Sequence, residues 1–213
     1  MNLWDYEAFI LDLDGTLIDS GKYHARAFAD AVLEHSGYEL TPAEHYEFFG
    51  SHSTWFSRTL NERYGLDLDP EKVLESKRMR MEEIYVVELF AGAHEFLVYW
   101  QGRRPMALAT NSPRHFVEPA LEKADIKDYF DVIVTADDVA HRKPDPEMIE
   151  ITLQKLCTDP LRTLVFEDQI IGVEAARRAG ARVVAVDNGQ PVRFPVDVPV
   201  HTWAELLSFS ERP

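Results

Sequence analysis

Six short apolar runs constrain the fold: Ala8 to Leu13, Met106 to Thr110, Val132 to Thr135, Thr163 to Phe166, Val183 to Val186 and a weaker Val198 to Val200. They are apolar along their length rather than alternating, so as strands they need cover on both faces. From Met106 onward they alternate with helical patterns at Phe116 to Ala124, Glu147 to Leu156 and Ile170 to Ala179. That alternation predicts an α/β fold, a parallel sheet with helices on both faces. Residues 19–89 break the rhythm and read as helices alone, roughly His24 to Ser36, Ser53 to Tyr64 and Glu71 to Glu88. Phe28, Ala31, Val32 and His35 fall on one helical stripe, and Thr41-Pro42 and Asp69-Pro70 read as helix starts. The expectation is an all-helical insert over 19–89 in an α/β core built from 1–18 and 90–213. Gly21 and Gly92 lie near the two junctions, as hinges or as turn residues.

In open parallel sheets the ligand lies beyond the carboxyl ends of the strands. The first run ends in Asp12-Leu13-Asp14-Gly15-Thr16-Leu17. Two carboxylates this close raise one another's pKa unless a cation neutralises them, and a hard divalent ion such as Mg2+ suits such oxygen ligands. An ordinary acidic turn is the alternative. The second run ends in Ala109-Thr110-Asn111-Ser112-Pro113, either an anion site of hydroxyl, amide and backbone N–H groups or a plain N-cap. Between the third and fourth runs stands His141-Arg142-Lys143-Pro144-Asp145-Pro146. Lys143 precedes a helix opening, where its charge opposes the helix dipole; it is either a solvated loop lysine or an ammonium wanted elsewhere. The fourth run ends in Glu167-Asp168-Gln169, with Gly172 following, which reads as caps or as further metal oxygens. Parallel topology gathers all four segments at one sheet edge, and four coincidences of this kind argue for a site.

Charge bounds the partners. The formal net charge is −15, from 37 acidic and 22 basic residues, which disfavours nucleic acid or an anionic membrane as partner. A small anionic substrate remains open, because a metal and a few cations can invert the field within a cleft. Cys157 is the only cysteine, so there is no intrachain disulfide and no thiolate zinc site. No basic segment followed by a long apolar run opens the sequence, and no window reaches the apolar length of a membrane span. A cytoplasmic location is expected; the oligomeric state is left open.

On these residues the chain resembles the haloacid dehalogenase-like hydrolase superfamily. Asp12-Leu13-Asp14-Gly15-Thr16, Thr110-Asn111, Lys143-Pro144 and Glu167-Asp168 match its four motifs in order, over essentially the whole chain. The spacing of the first two is similar to the subfamily with a helical cap after the first strand. Receiver domains share an acidic pair, a Thr and a Lys, but there the acidic pair comes first, whereas here Glu167-Asp168 follows Lys143.

The resemblance implies a Rossmann-like core, with Asp12 as nucleophile forming an aspartyl-phosphate. Asp14 would protonate the leaving alkoxide and then activate water. It implies Mg2+ held by Asp12, the backbone carbonyl of Asp14 and Asp168, with Glu167 nearby or through water. Thr110, the backbone at Asn111 and Lys143 would hold the phosphoryl oxygens. An acid at Asp14 marks phosphatases and phosphomutases rather than dehalogenases. Gln169 departs from the Ser or Thr usual in relatives.

Substrate choice is expected from the cap, closing over the catalytic edge. Leu74, Met81, Ile84 and Tyr85 form an apolar stripe that includes Lys77 and Arg78, either snorkelling or touching substrate oxygens. His24 and His52 are further substrate-binding candidates, while Trp55 is placed in the cap core. Gly50 to Trp55 and Gly102 to Ala107 look most similar to bacterial fructose-1-phosphate phosphatase-like proteins, within a group that includes β-phosphoglucomutase-like enzymes. The expected activity is therefore a Mg2+-dependent phosphatase acting on a small phosphorylated metabolite, with a sugar phosphate expected. A phosphomutase and a non-catalytic binding protein are the alternatives.

Overall fold

The computed structural model describes residues 1–48, 53–189 and 192–210. The chain divides into two compact units, one of Met1–Asp19 with Val87–Pro213 and one of Ser20–Val86. The first contains strands β1 (Ala8–Leu11), β2 (Met106–Ala109), β3 (Val132–Val134), β4 (Thr163–Glu167), β5 (Arg182–Val186) and β6 (Val200–His201). They form one sheet in the order β3-β2-β1-β4-β5-β6, and every pairing is parallel. The chain leaves β1 towards β2 and β3 on one side and returns to β4, β5 and β6 on the other. The switch point therefore lies beside β1, where ligands of such sheets bind. Leu11 pairs with Leu108 of β2 and Phe166 of β4, so Asp12, Ala109 and Glu167 emerge level at the carboxyl edge.

β1, β2 and β4 are buried at every position, as unbroken apolar runs require when both faces are covered. Ile10, Ala107, Ala109 and Val165 pack with Met148, Ile149 and Leu153 of the helix Glu147–Leu156, and with Ala175 and Ala176 of the helix Ile170–Arg178. Phe9 and Phe166 belong to an aromatic cluster instead. Phe96 and Trp100 come from the helix Ala93–Trp100 and Trp203 from the helix Trp203–Ser208. Trp203 stacks on Phe166 at 5.7 Å and 16°. The remaining helix of this unit, Arg114–Lys123, opens directly after Pro113.

The second unit contains helices Gly21–Ser36, Pro42–Phe48, Ser53–Tyr64 and Pro70–Ile84. In chain order the nine helices named here are α1 to α4 in this unit and α5 to α9 in the first. Asp69 caps α4 by accepting from the Glu71 and Lys72 amides, with Pro70 in the first turn. Gly37, at φ +69°, closes α1. The core of this unit is Phe28, Ala31, Val32, Leu40, Phe56, Leu60, Leu68 and Val73.

Several details differ from expectation. Helices α5 and α9 are additional, α2 opens at the helix start read at Thr41-Pro42, and α4 ends at Ile84 rather than Glu88. The buried positions of α4 are Val73, Ser76 and Met81, so the stripe is rotated from Leu74 and Ile84. Trp55 is 53% exposed and takes no part in the core, because Phe56 already fills the inward position beside Phe28. Gly92, at φ +89°, is the N-cap of α5, and a Cβ there would come within 3.1 Å of Trp203 Cβ. That is a local packing reason for glycine. Among the described residues no helix is long and apolar enough to cross a membrane.

Candidate active site

At the carboxyl edge of β1, Asp12 continues the ladder through its amide to Phe166 O (3.0 Å), and its side chain is buried. Lys143, only 3% exposed, donates from Nζ to Asp12 Oδ1 (2.8 Å), Glu167 Oε1 (2.5 Å) and Ala109 O (2.7 Å). An ammonium has three protons, and all three are engaged. Lys143 is thus no solvated loop lysine. Asn111 fixes its backbone from both sides: Asn111 Oδ1 accepts from Lys143 N (3.0 Å) and Asn111 Nδ2 donates to Lys143 O (3.2 Å). The amide side chain of Asn111 is therefore committed to the Lys143 loop.

The turn after β1 presses against the end of β4. Gly15 has φ +83°, and a Cβ on it would lie 2.1 Å from Asp168 Oδ2. Thr16 Oγ1 donates to Asp168 Oδ1 (3.0 Å), and Asn188 Nδ2 donates to Asp168 Oδ2 (3.3 Å) and to Gly15 O (2.5 Å). Behind this turn the Trp203 indole N–H donates to Thr16 O (2.8 Å). Asp14 is half-buried and accepts from Ser112 Oγ at 2.6 Å. The Ser112 hydroxyl reaches across to β1's turn, and the first amide of α6, at Arg114, donates instead to Asp137 Oδ2 at 2.8 Å. Thr110 is buried and its Oγ1 accepts from Ser112 N at 3.1 Å.

The electrostatics are those of an overloaded anionic site. Oxygens of Asp12, Glu167 and Asp168 lie within 4.8 Å of one another, and all three residues are buried. Burial pushes the Asp12 carboxyl well above the usual carboxylate range; Lys143 pulls it down, and Glu167 and Asp168 push it up again. Asp168 is raised by burial and then by Glu167, against the Thr16 hydrogen bond and Lys143. For Lys143 burial acts downward, yet Asp12 and Glu167 hold its pKa above the ordinary lysine value. One ammonium faces three buried carboxylates, so the donor set is hard, oxygen-only and short of positive charge. That chemistry fits Mg2+.

Asp12, Asp14, Thr110, Asn111, Lys143, Glu167 and Asp168 are thus brought to one edge of the first unit. His24, Lys77 and Arg78 belong to the second. His24 is half-buried on α1, and Arg78 is exposed on α4. Lys77 Nζ donates to Ser53 Oγ at 3.1 Å. His52, with Gly50 and Ser51, lies outside the described residues. Asn188 and Trp203 are site neighbours that sequence reasoning missed, with hydrogen bonds to the first turn across 173 and 187 residues; Ser112, read as part of an anion segment or a cap, braces Asp14 across 98. A second acidic group, His141, Asp145 and Glu147, is a loop clasp in which Glu147 accepts from the Ala140 and His141 amides.

Gly172 on α8 offers a direct check of this packing. A Cβ there would fall 1.9 Å from Glu167 Cδ, so Gly172→Ala is expected to push Glu167 off Lys143. Overpacking of this kind costs about 1–3 kcal/mol, readable as a lowered melting temperature. An unchanged melting temperature would mean that Glu167 is not pinned as described.

The family model described as haloacid dehalogenase-like hydrolase matches residues 9–186. Fructose-1-phosphate phosphatase YqaB of Escherichia coli is 32% identical over 186 residues, covering 85% of this chain and 96% of that protein. A phosphorylated carbohydrates phosphatase of Thermotoga maritima is also 32% identical, over 82% of both chains. Among solved structures, CbbY from Rhodobacter sphaeroides in complex with phosphate has a TM-score of 0.78 at 23% identity, covering 94% of this chain and 96% of that one, a likeness of fold.

Proposed function

The chain belongs to the haloacid dehalogenase-like hydrolase family, and from that premise we propose that it is a Mg2+-dependent phosphatase of small phosphorylated metabolites, with sugar phosphates as the substrate class. The observation that carries the reading is the buried Lys143 ammonium, spanning Asp12 and Glu167 beside Asp168. The substrate class is supported by the named relatives, which act on fructose 1-phosphate and on phosphorylated carbohydrates. The unit that carries Asp12 is the catalytic core in this reading, and Ser20–Val86 is the cap.

Lys143 holds Asp12 Oδ1, which leaves Oδ2 to attack phosphorus in line. The new bond joins Asp12 Oδ2 to phosphorus as the bond from phosphorus to the ester oxygen breaks. Asp14, steadied by Ser112, gives its proton to the departing alkoxide. The resulting carboxylate then takes a proton from water, whose oxygen attacks phosphorus and frees Asp12 and inorganic phosphate. Thr110 and the backbone at Asn111 bind the equatorial oxygens. Asp12, the Asp14 carbonyl, Glu167 and Asp168 would hold Mg2+, which supplies positive charge against the phosphoryl oxygens.

The test is release of inorganic phosphate from a panel of phosphate esters, with Mg2+ and with chelator. Turnover of sugar phosphates that chelator abolishes is expected. Turnover indifferent to chelator, or none on the whole panel, overturns the reading. Isomerised sugar phosphate forming faster than free phosphate would replace it by a phosphomutase.

A further inference from the structure

We propose that Asn188 is a positioning residue for the metal, its carboxamide locking the Asp168 carboxylate to the Gly15 carbonyl of the turn after β1. The inference rests on the Mg2+ reading of the site above.

Asp168 has an orienting donor on each oxygen. Thr16 supplies Oδ1 from the β1 turn, and Asn188 supplies Oδ2 from the end of β5. Two donors on opposite oxygens fix the plane of a carboxylate and leave its other lone pairs for a cation. The same Asn188 nitrogen also holds Gly15 O. Gly15 O belongs to the residue after Asp14, so this bond fixes the direction of the peptide chain that presents the Asp14 carbonyl. One neutral amide thereby ties the ends of β1, β4 and β5 around the candidate metal position.

Asn188 is itself held for this task. The Asp187 amide donates to His201 O at 2.9 Å, and Asp187 Oδ1 accepts from Gly189 N at 3.0 Å, closing a tight turn around Asn188. A carboxamide suits the place because it adds donors without adding charge. An acid would set a further acceptor against Asp168 Oδ2 and Gly15 O.

A plain loop role and a metal-positioning role make different predictions. Asn188→Leu keeps the branched shape and removes the donors; Asn188→Ala removes both shape and donors. Isothermal titration of the full chain with Mg2+ alone reads the metal directly. Loss of an outer partner of this kind costs about 10- to 100-fold in metal affinity. Both variants are expected to bind Mg2+ that much more weakly, with a metal-free melting temperature near that of the wild type. Phosphate release should then need more Mg2+ and approach the wild-type kcat at saturation. Using two variants keeps the test decisive if one fails to fold. Mg2+ affinity within twofold of wild type in a folded variant overturns the proposal, as does a loss of kcat that saturating Mg2+ leaves unrepaired. Failure of the wild type itself to bind Mg2+ overturns the metal reading beneath it, and is seen separately.

Discussion

Asp12→Asn is expected to abolish phosphate release while leaving the fold at least as stable as before. An amide oxygen is a poor nucleophile, and removing a nucleophile that acts within a unit of groups costs on the order of 10⁴-fold or more in kcat. The substitution nearly preserves shape, and the side-chain oxygen can still accept from Lys143 Nζ. It also removes one of the buried charges that oppose one another. The carboxyl of Asp12 is raised in the folded chain by burial and by Glu167 and Asp168. A raised carboxylate stabilises the fold only while protonated, below its unfolded pKa, and that contribution is lost as pH rises through the folded value. The metal-free melting temperature of Asp12→Asn at pH 8 should therefore equal or exceed that of the wild type. Asp14→Asn serves as the contrast. It keeps the nucleophile, so a reduction of roughly 10²–10⁴-fold is expected, with phosphorylated protein recoverable by acid quench. Activity within tenfold of wild type in Asp12→Asn would remove Asp12 from the chemistry.

The sheet and the gathering of the site are legible in the sequence for one physical reason. A strand buried on both faces needs an unbroken apolar run, and its polar exit is then conspicuous. Asp12, Thr110 and Glu167 are each the polar residue ending such a run, and parallel pairing of β1 with β2 and β4 brings those exits level. Lys143 is legible through its misfit before a helix. The same logic fails for α5, where His94-Glu95-Phe96-Leu97-Val98-Tyr99-Trp100 is too apolar to show a clean helical period. It fails for α9, which is six residues long. Trp55 misleads because aromatic residues suggest cores, whereas the pattern fixes only that one of Trp55 and Phe56 faces inward.

The supports of the site are harder to read than its acids. Ser112 looks like a cap because Ser-Pro opens helices, yet its hydroxyl donates to Asp14, while the first amide of the helix, at Arg114, donates to Asp137. Asn111 looks like a phosphate ligand, yet its side chain braces the Lys143 loop. Asn188 and Trp203 lie in stretches with no chemistry of their own. Their roles arise from contacts across more than 170 residues, and a single sequence carries no signal for a pairing of that span.

Lys143→Met tests whether the ammonium is the counter-charge that lets the acids share one edge. Methionine keeps much of the volume and removes all three donors. Asp12, Glu167 and Asp168 then remain buried without a cation, and Ala109 O loses its partner. Breaking a buried ion pair from one side costs about 3–5 kcal/mol. The acids can relieve part of that by taking up protons. Their folded pKa values, already raised, rise further without Lys143, so the penalty should be greatest near pH 8 and shrink towards pH 5. Mg2+ should stabilise this variant more than the wild type, because the ion supplies the missing positive charge. Activity should stay down even then, by about 10²-fold, because without the Lys143 bond Asp12 is no longer held in place for the in-line attack proposed above. Thermal unfolding across that pH range, with and without Mg2+, separates the two roles. Stability that returns with the metal while phosphate release does not is the expected pattern. A variant as stable as wild type at pH 8 and active within tenfold would mean that the acids tolerate one another without Lys143.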